Sequence, residues 1–133
     1  MSQENVEVVR RGYQRLRETG RIPAEVVTPD FVWDMSNFAG WTEQPIYAGA
    51  EGPTRFLDDW TGVWDDWELE ADELHDAGDK VVAVVRQRGR SKAAGVPVEM
   101  TFAQVWTLRE GKGLRMDMYS DPREALESVG LEE

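Results

Sequence analysis

The chain has 133 residues, with 26 acidic and 15 basic side chains and a net charge of −11. This length is typical of one domain with its own core, and residues 1–133 are interpreted as that single domain. The negative charge argues against nucleic acid and against an anionic membrane as partners, because both carry the same sign. The chain has no cysteine and one histidine, so disulfides and thiolate zinc sites are excluded and no metal or other cofactor is expected.

No apolar run approaches the roughly 20 residues that a membrane helix needs, and the first residues do not resemble a signal peptide. A cytoplasmic location is therefore expected. Six tryptophans in so short a chain indicate either a densely packed core or an apolar cavity with rigid aromatic walls.

The first helix is predicted from Val6, Val9, Tyr13 and Leu16, which recur at helical spacing. Tyr13 lies on the buried stripe of this helix. Its hydroxyl must find a protein partner there or face a cavity, and both alternatives stay open.

A short second helix is predicted at residues 23–27, followed by a strand over residues 31–36. Side chains alternate along a strand, so Trp33 is expected to face the core and Asp34 to face away, unless a bulge reverses the direction. The connection after this strand, residues 37–49, carries three aromatic residues. It is predicted either to form a lid over a cavity or to pack on the body.

A third, long helix is predicted from about residue 51 to residue 66, with Trp60 and Trp64 on a wide apolar face. Four aspartates lie away from that face, at positions 58, 59, 65 and 66. Paired carboxylates can be catalytic, but this pattern is typical of a solvated helix face.

From residue 67 onwards, alternating patterns predict four antiparallel strands, with turns at residues 76–79 and 110–113. The second of these strands is apolar on both faces at residues 81–85, which predicts a second subunit packed on one side and hence a homodimer through the sheet. Arginines follow at positions 86, 88 and 90. They favour an exposed or interface-rim face over an anion site.

The last two strands, within residues 96–121, are the part around which we expect the chain to be organised. Phe102, Gln104 and Trp106 share one face of the first strand, and Met116 and Met118 share one face of the second. A lone amide among bulky apolar side chains is more typical of a pocket wall than of a core layer.

The order and spacing of these elements resemble the α+β cone of the nuclear transport factor 2-like superfamily and, within it, the SnoaL-like group. The matching stretches are residues 5–13, 47–52, 76–79, 105–112 and 119–121. The resemblance implies a cystatin-like roll, in which a curved mixed or antiparallel sheet wraps around a long helix behind N-terminal helices. It also implies an apolar cavity with polar groups at its base, and commonly a dimer through the sheet.

The resemblance also implies roles for individual residues. Tyr13 falls where ketosteroid isomerase-like members carry a tyrosine that donates to a substrate oxygen, and Gln104 falls where they carry a protonated aspartate. An amide donates without titrating, so the two side chains are implied to hold a carbonyl or enolate oxygen jointly. The base of those members would lie near Asp34. Met118 stands where epoxide hydrolase-like members place a water-activating aspartate, so their chemistry is not implied.

The expected function is that of a SnoaL-like domain that holds a small, largely apolar, oxygen-bearing molecule in an aromatic pocket; if the domain is catalytic, the reaction is a cofactor-free enolisation, isomerisation or cyclisation. The alternative is a ligand carrier or dimerisation module without turnover. The expected catalytic residues are Tyr13, Gln104 and Asp34. The expected cavity walls are Trp33, Trp60, Trp64, Phe102, Trp106, Met116 and Met118.

Overall fold

The computed structural model describes residues 2–41 and 43–131. Its helices are α1 (Ser2–Thr19), α2 (Gly52–Thr61) and α3 (Pro122–Ser128), with a single 3-10 turn at Ala24–Val26. Its strands are β1 (Val27–Asn37), β2 (Ile46–Ala48), β3 (Trp64–Ala77), β4 (Lys80–Ser91), β5 (Pro97–Arg109) and β6 (Lys112–Tyr119).

The six strands form one curled, open sheet in the order β2-β1-β6-β5-β4-β3. The β1–β6 pair is parallel and the other pairs are antiparallel. The predicted α+β fold with a curved mixed sheet is confirmed. The tight turn between β5 and β6 uses Glu110 and Gly111 at φ 53° and φ 79°, and positive φ at both central residues matches the twist of a two-residue hairpin.

The sheet has a concave face and a convex face, because side chains alternate along each strand. The concave face, against which α1 and α2 pack, carries most of the buried apolar residues, with Trp33 and Phe102 almost fully enclosed. On the convex face α3 packs Ala125 and Leu126 against Val82, Ala103 and Val105. The second apolar face of β4 is therefore covered in part by the chain's own last helix, and the homodimer stays a prediction.

The predicted third helix is too long. α2 ends at Thr61, and Trp64 already belongs to β3, where it pairs with Ser91. The spacing of the aromatic residues fits a helix, but a bulge after Asp65, with Asp66 at φ 55°, lets the same residues lie along an edge strand. The helix over which the sheet curls is instead α1, which has 18 residues against 10 in α2.

The connection between β1 and α2 packs on the body, which was one of its two predicted roles. The ring of Trp41 lies 5.5 Å from that of Phe56 and 5.4 Å from that of Trp60, between centroids. Tyr47 belongs to the short strand β2, which the sequence did not predict, and its hydroxyl donates to Asp59 at 2.7 Å. Residue 42 lies outside the described part of the connection.

Two of the three arginines of β4, Arg86 and Arg88, lie in a network of ion pairs on the convex face, and Arg90 donates to the carbonyl oxygen of Gly95. Arg86 donates to Asp72 at 3.1 and 3.2 Å, and Arg88 lies 3.8 Å from both Glu68 and Glu99. These carboxylates supply the negative charge that an external anion would otherwise bring. The interpretation as an exposed face therefore fits better than an anion site.

Gly52 holds the first turn of α2 against β2, and we predict that Gly52→Ala destabilises the fold. An added Cβ would lie 2.6 Å from the carbonyl oxygen of the buried Tyr47. Overpacking of this kind typically costs about 1–3 kcal/mol, measurable by urea denaturation.

Gly12→Ala is the matched control, because a Cβ there meets no atom within 4 Å. Alanine in a helix interior is favoured over glycine by up to about 1 kcal/mol, so this variant should gain stability. Wild-type stability in Gly52→Ala would contradict the predicted close contact.

Candidate functional site

A cavity of about 350 Å³ lies between α1, the 3-10 turn and the concave face of the sheet. Pockets for small molecules typically begin near 300 Å³, so this volume suits a ligand of one or two rings. The inner walls are almost entirely apolar. They are formed by Trp33, Phe56, Leu57, Trp60, Leu69, Phe102, Trp106, Leu108 and Met118.

Three polar side chains meet inside this apolar enclosure. The indole Nε1 of Trp106 donates to the hydroxyl oxygen of Tyr13 at 3.0 Å, and the Tyr13 hydroxyl donates to Oε1 of Gln104. Tyr13 is 8% exposed and Gln104 5% exposed. The structure thus brings together the tyrosine of α1 and the glutamine of β5, both of which line the cavity.

The direction of these hydrogen bonds follows from the donor and acceptor capacity of the groups. An indole N–H can only donate, so the Tyr13 oxygen accepts from it and the single Tyr13 hydrogen goes to the Gln104 oxygen. The Gln104 amide nitrogen then has two hydrogens, and among the described residues its one acceptor within reach is the Met118 sulfur at 3.5 Å. A thioether is a weak acceptor, so this amide is the strongest donor that the site offers to a ligand oxygen.

Burial raises the pKa of Tyr13 well above its ordinary value, and the hydrogen bond from Trp106 opposes this only in part. The hydroxyl therefore stays neutral throughout the physiological range. It acts as a hydrogen-bonding group and not as a base.

The predicted wall residues separate into two groups. Trp33, Trp60, Phe102, Trp106 and Met118 line the cavity. Met116 and Trp64 lie outside its lining: Met116 is fully enclosed in the core, and Trp64 stands at the start of β3 beside Gly89. The predicted helix had placed Trp64 on the same face as Trp60, and its position in a strand removes that reason.

Asp34 does not reach the cavity. It pairs with Asp117 of β6 across the parallel ladder, and its carboxylate accepts from Arg115 and from the Ser36 hydroxyl at 2.6 Å. Arg115 also donates to Asp117 at 3.0 Å. This matches the outward direction predicted from the strand alternation. It also leaves Asp34 unable to remove a proton from a molecule in the cavity, because a base must lie within hydrogen-bond reach.

Gln87 was not predicted from the sequence to support the cavity, and it lies behind the wall, outside the lining. This fully buried amide of β4 accepts from the indole N–H of Trp60 at 2.5 Å and of Trp67 at 2.7 Å. It thereby fixes the orientation of two rings that line the cavity. Its position beside a run of valines was the available signal, since a lone glutamine there needs buried partners.

The mouth of the cavity was also missed. It is lined by charged side chains and glycines of α1, the 3-10 turn and the β5–β6 turn, among them Arg11, Gly12, Arg15, Glu25, Glu110 and Lys112. A glycine in the middle of an amphipathic helix was the signal, because it lowers helix stability without a conformational need.

The described residues contain no cluster of three or more His, Asp or Glu side chains placed to hold a metal ion. Within the same ranges, no helix is both long enough and apolar enough to span a membrane.

We predict that Tyr13→Phe lowers the free energy of unfolding at neutral pH. The variant should also lose less of this free energy than the wild type as the pH rises above 10. Loss of the hydroxyl leaves the Gln104 oxygen and the Trp106 N–H unpaired, at about 1–3 kcal/mol. Since the folded pKa of Tyr13 is raised above the unfolded value of 10.0, its stabilising contribution is complete below pH 10 and is lost as the pH rises further. The slope per raised tyrosine is about 1.4 kcal/mol per pH unit.

Urea denaturation between pH 7 and pH 11 measures both effects. Tyr119→Phe on the convex face is the control, with little loss of stability expected at neutral pH. An unchanged alkaline slope in Tyr13→Phe would show that the Tyr13 hydroxyl is not buried as described.

Comparison with known proteins identifies the family. The SnoaL-like domain model matches residues 9–116. No curated protein matches the chain. The structure resembles a nuclear transport factor 2-like protein of unknown function from Burkholderia pseudomallei, at 18% identity and a TM-score of 0.75, over 96% of this chain and 98% of that one.

Two further solved structures share the fold. One, named as a SnoaL-like polyketide cyclase from a Jannaschia species, has 20% identity, a TM-score of 0.71, and coverage of 89% of this chain and 85% of that chain. The other is a protein from Catenulispora acidiphila with a ketosteroid isomerase-like fold, solved in complex with trimethylamine. It has 16% identity, a TM-score of 0.71, and coverage of 94% and 93%. These likenesses show the fold, and with the match over residues 9–116 the chain belongs to the SnoaL-like domain family.

Proposed function

We propose that this SnoaL-like domain binds a small, largely apolar molecule that carries a neutral oxygen acceptor, such as a ketone. The observation that carries the proposal is the Gln104 amide, held by Tyr13 inside a cavity of about 350 Å³ with apolar walls. The rings of the walls supply most of the binding free energy through burial of apolar area. The Gln104 N–H group supplies orientation.

An oxygen acceptor is favoured because the amide hydrogens have no strong protein acceptor. A buried donor without a partner is unfavourable by about 1–3 kcal/mol, and a ligand carbonyl would remove this penalty. Tyr13 and Trp106 act behind the amide, since they fix its oxygen and therefore the direction of its nitrogen. Tyr13 contacts the ligand only if it releases Gln104.

The second candidate is cofactor-free enolisation of the bound molecule, for which Gln104 would stabilise the developing oxyanion. The two carboxylates in the cavity lining, Glu25 and Glu110, are exposed at the mouth, and Asp34 lies on the other face of the sheet. A positioned base contributes about 10²–10⁴-fold to proton transfer. This arrangement favours binding without turnover. The polyketide cyclase name of one structural neighbour is the observation in favour of catalysis.

We predict that 2-acetylnaphthalene binds more tightly than 2-ethylnaphthalene, which has a similar shape and no oxygen. The difference should be about five- to tenfold, the value of one hydrogen bond to a buried neutral donor. Isothermal titration calorimetry measures both affinities, and Gln104→Met should abolish the preference while it retains an apolar cavity. Equal affinities in the wild-type protein would contradict the proposed role of Gln104.

Gly12→Phe blocks the mouth in the same experiment. A side chain at Gly12 projects into open space in the cavity lining, so the variant should fold at least as stably as the wild type and bind both probes at least tenfold more weakly, as estimated from lost apolar contact. Gly12→Ala is the control at the same position and should retain binding. Gly20→Ala would be unsuitable, because Gly20 has φ 74° and favours glycine. Unimpaired binding in Gly12→Phe would place the ligand elsewhere.

Turnover is tested by exchange of the methyl hydrogens of 2-acetylnaphthalene in D₂O, followed by proton NMR. Enolisation replaces these hydrogens with deuterium. We expect the exchange rate to be the same with the wild-type protein, with the Gln104→Met variant and in buffer alone, because the described residues place no base inside the cavity. Faster exchange with the wild-type protein, lost in Gln104→Met, would support the catalytic candidate.

A further inference from the structure

The mouth of the cavity carries more positive than negative charge, although the whole chain has a net charge of −11. Three of its lining residues are basic, Arg11, Arg15 and Lys112, and two are acidic, Glu25 and Glu110. Charge in a cleft with apolar walls acts at longer range than charge on an open surface, because the field is focused. The mouth therefore attracts an anion in a protein that otherwise repels anions.

Arg11 and Arg15 are four residues apart on α1 and lie next to each other on the helix surface. Like charges at this spacing destabilise a helix, so the pair needs a compensating partner. Arg15 reaches Glu25 only at 3.9 Å, with side chains 48% and 75% exposed. Within the described ranges, neither the Arg11 side chain nor the Lys112 side chain forms an ion pair or a hydrogen bond.

Three arginines on the strands are paired with carboxylates. Arg86, Arg88 and Arg115 each lie within ion-pair distance of two or more carboxylates. Acidic side chains outnumber basic ones, so the lack of an ion pair at Arg11 and the long distance from Arg15 to Glu25 are not a consequence of composition. The place of these two arginines beside Gly12, where the helix surface is open, leaves room for a ligand group between them and the cavity.

We infer that the ligand is an amphipathic acid: its apolar, oxygen-bearing body enters the cavity, and its carboxylate remains at the mouth beside Arg11 and Arg15. The inference rests on the proposed binding function and adds the charge of the ligand to it. The inner cavity has no cation, so a carboxylate buried there would lose its hydration without compensation. Only an acid with its charged group at the mouth satisfies both ends of the site.

The experiment compares 6-acetyl-2-naphthoate, which carries a ketone at one end and a carboxylate at the other, with its methyl ester by isothermal titration calorimetry at pH 7.5. We expect the acid to bind about tenfold more tightly than the ester, since two exposed arginines each contribute modestly. In the double variant R11Q/R15Q, the ratio of the affinity for the acid to that for the ester should fall to about one or below. The matched control Arg17→Gln, exposed on the same helix but outside the cavity lining, should retain it.

Salt provides an independent test that needs no variant. Raising the ionic strength should weaken binding of the acid severalfold and leave that of the ester unchanged, because exposed charges are screened. Binding of both probes without a preference for the acid, or a preference that survives in R11Q/R15Q, overturns this inference alone. Failure of both probes to bind overturns the proposed binding function and this inference with it.

Discussion

The single hydrogen of the Tyr13 hydroxyl is the constraint on which the polar part of the site depends. This oxygen is buried between an indole that can only donate and an amide that can do either, so the hydrogen has one destination. The order from Trp106 to Tyr13 to Gln104 is thereby fixed by chemistry. Reversal of the amide would leave Tyr13 without an acceptor in an apolar enclosure, which is unfavourable.

The same arrangement occurs a second time on the concave face. Gln87 of β4 accepts from two indoles, as Gln104 of β5 accepts from a phenol that an indole supports. Each amide fixes the orientation of large rings on the concave face of the sheet. Rings held by hydrogen bonds are restrained from rotating into the space between them. The cavity persists because its walls are restrained. A purely apolar set of side chains would be free to repack to the density of ordinary protein interiors.

Strand alternation predicted the concave face well, because the period of two separates Trp33 from Asp34 and Gln104 from its neighbours without further information. Helix limits were less predictable. Aromatic residues at positions 60, 64 and 67 fit a helical spacing, and only the bulge at Asp66 shows that the last two belong to a strand. That bulge depends on pairing at the open end of the β3–β4 hairpin, where Asp65 pairs with Arg90, and sequence periodicity does not show this pairing.

The cavity mouth illustrates a different limit. The apolar stripe of α1 predicts its buried face, and arginines beside such a stripe are ordinarily solvated. They gain a candidate role because residues 110–113 of the β5–β6 turn line the same cavity as α1. That two parts of the chain so far apart line one cavity cannot be deduced from the periodicity of either element.

Side-chain alternation in the sheet therefore separates the charged residues of this domain from its inner cavity. The alternation that turns Trp33 inward turns Asp34 outward to Arg115, and the carboxylates of the cavity lining are confined to its mouth. The geometry does not require this neutrality, since Met118 lies directly opposite Gln104 on the neighbouring strand with its sulfur 3.5 Å from the amide. A carboxylate at that position would be enclosed and desolvated, and burial raises a carboxyl pKa towards that of a general base, although a hydrogen bond from the neighbouring amide would oppose part of the rise. The fold thus has a place for a base, and the methionine side chain at that place keeps this part of the cavity wall uncharged.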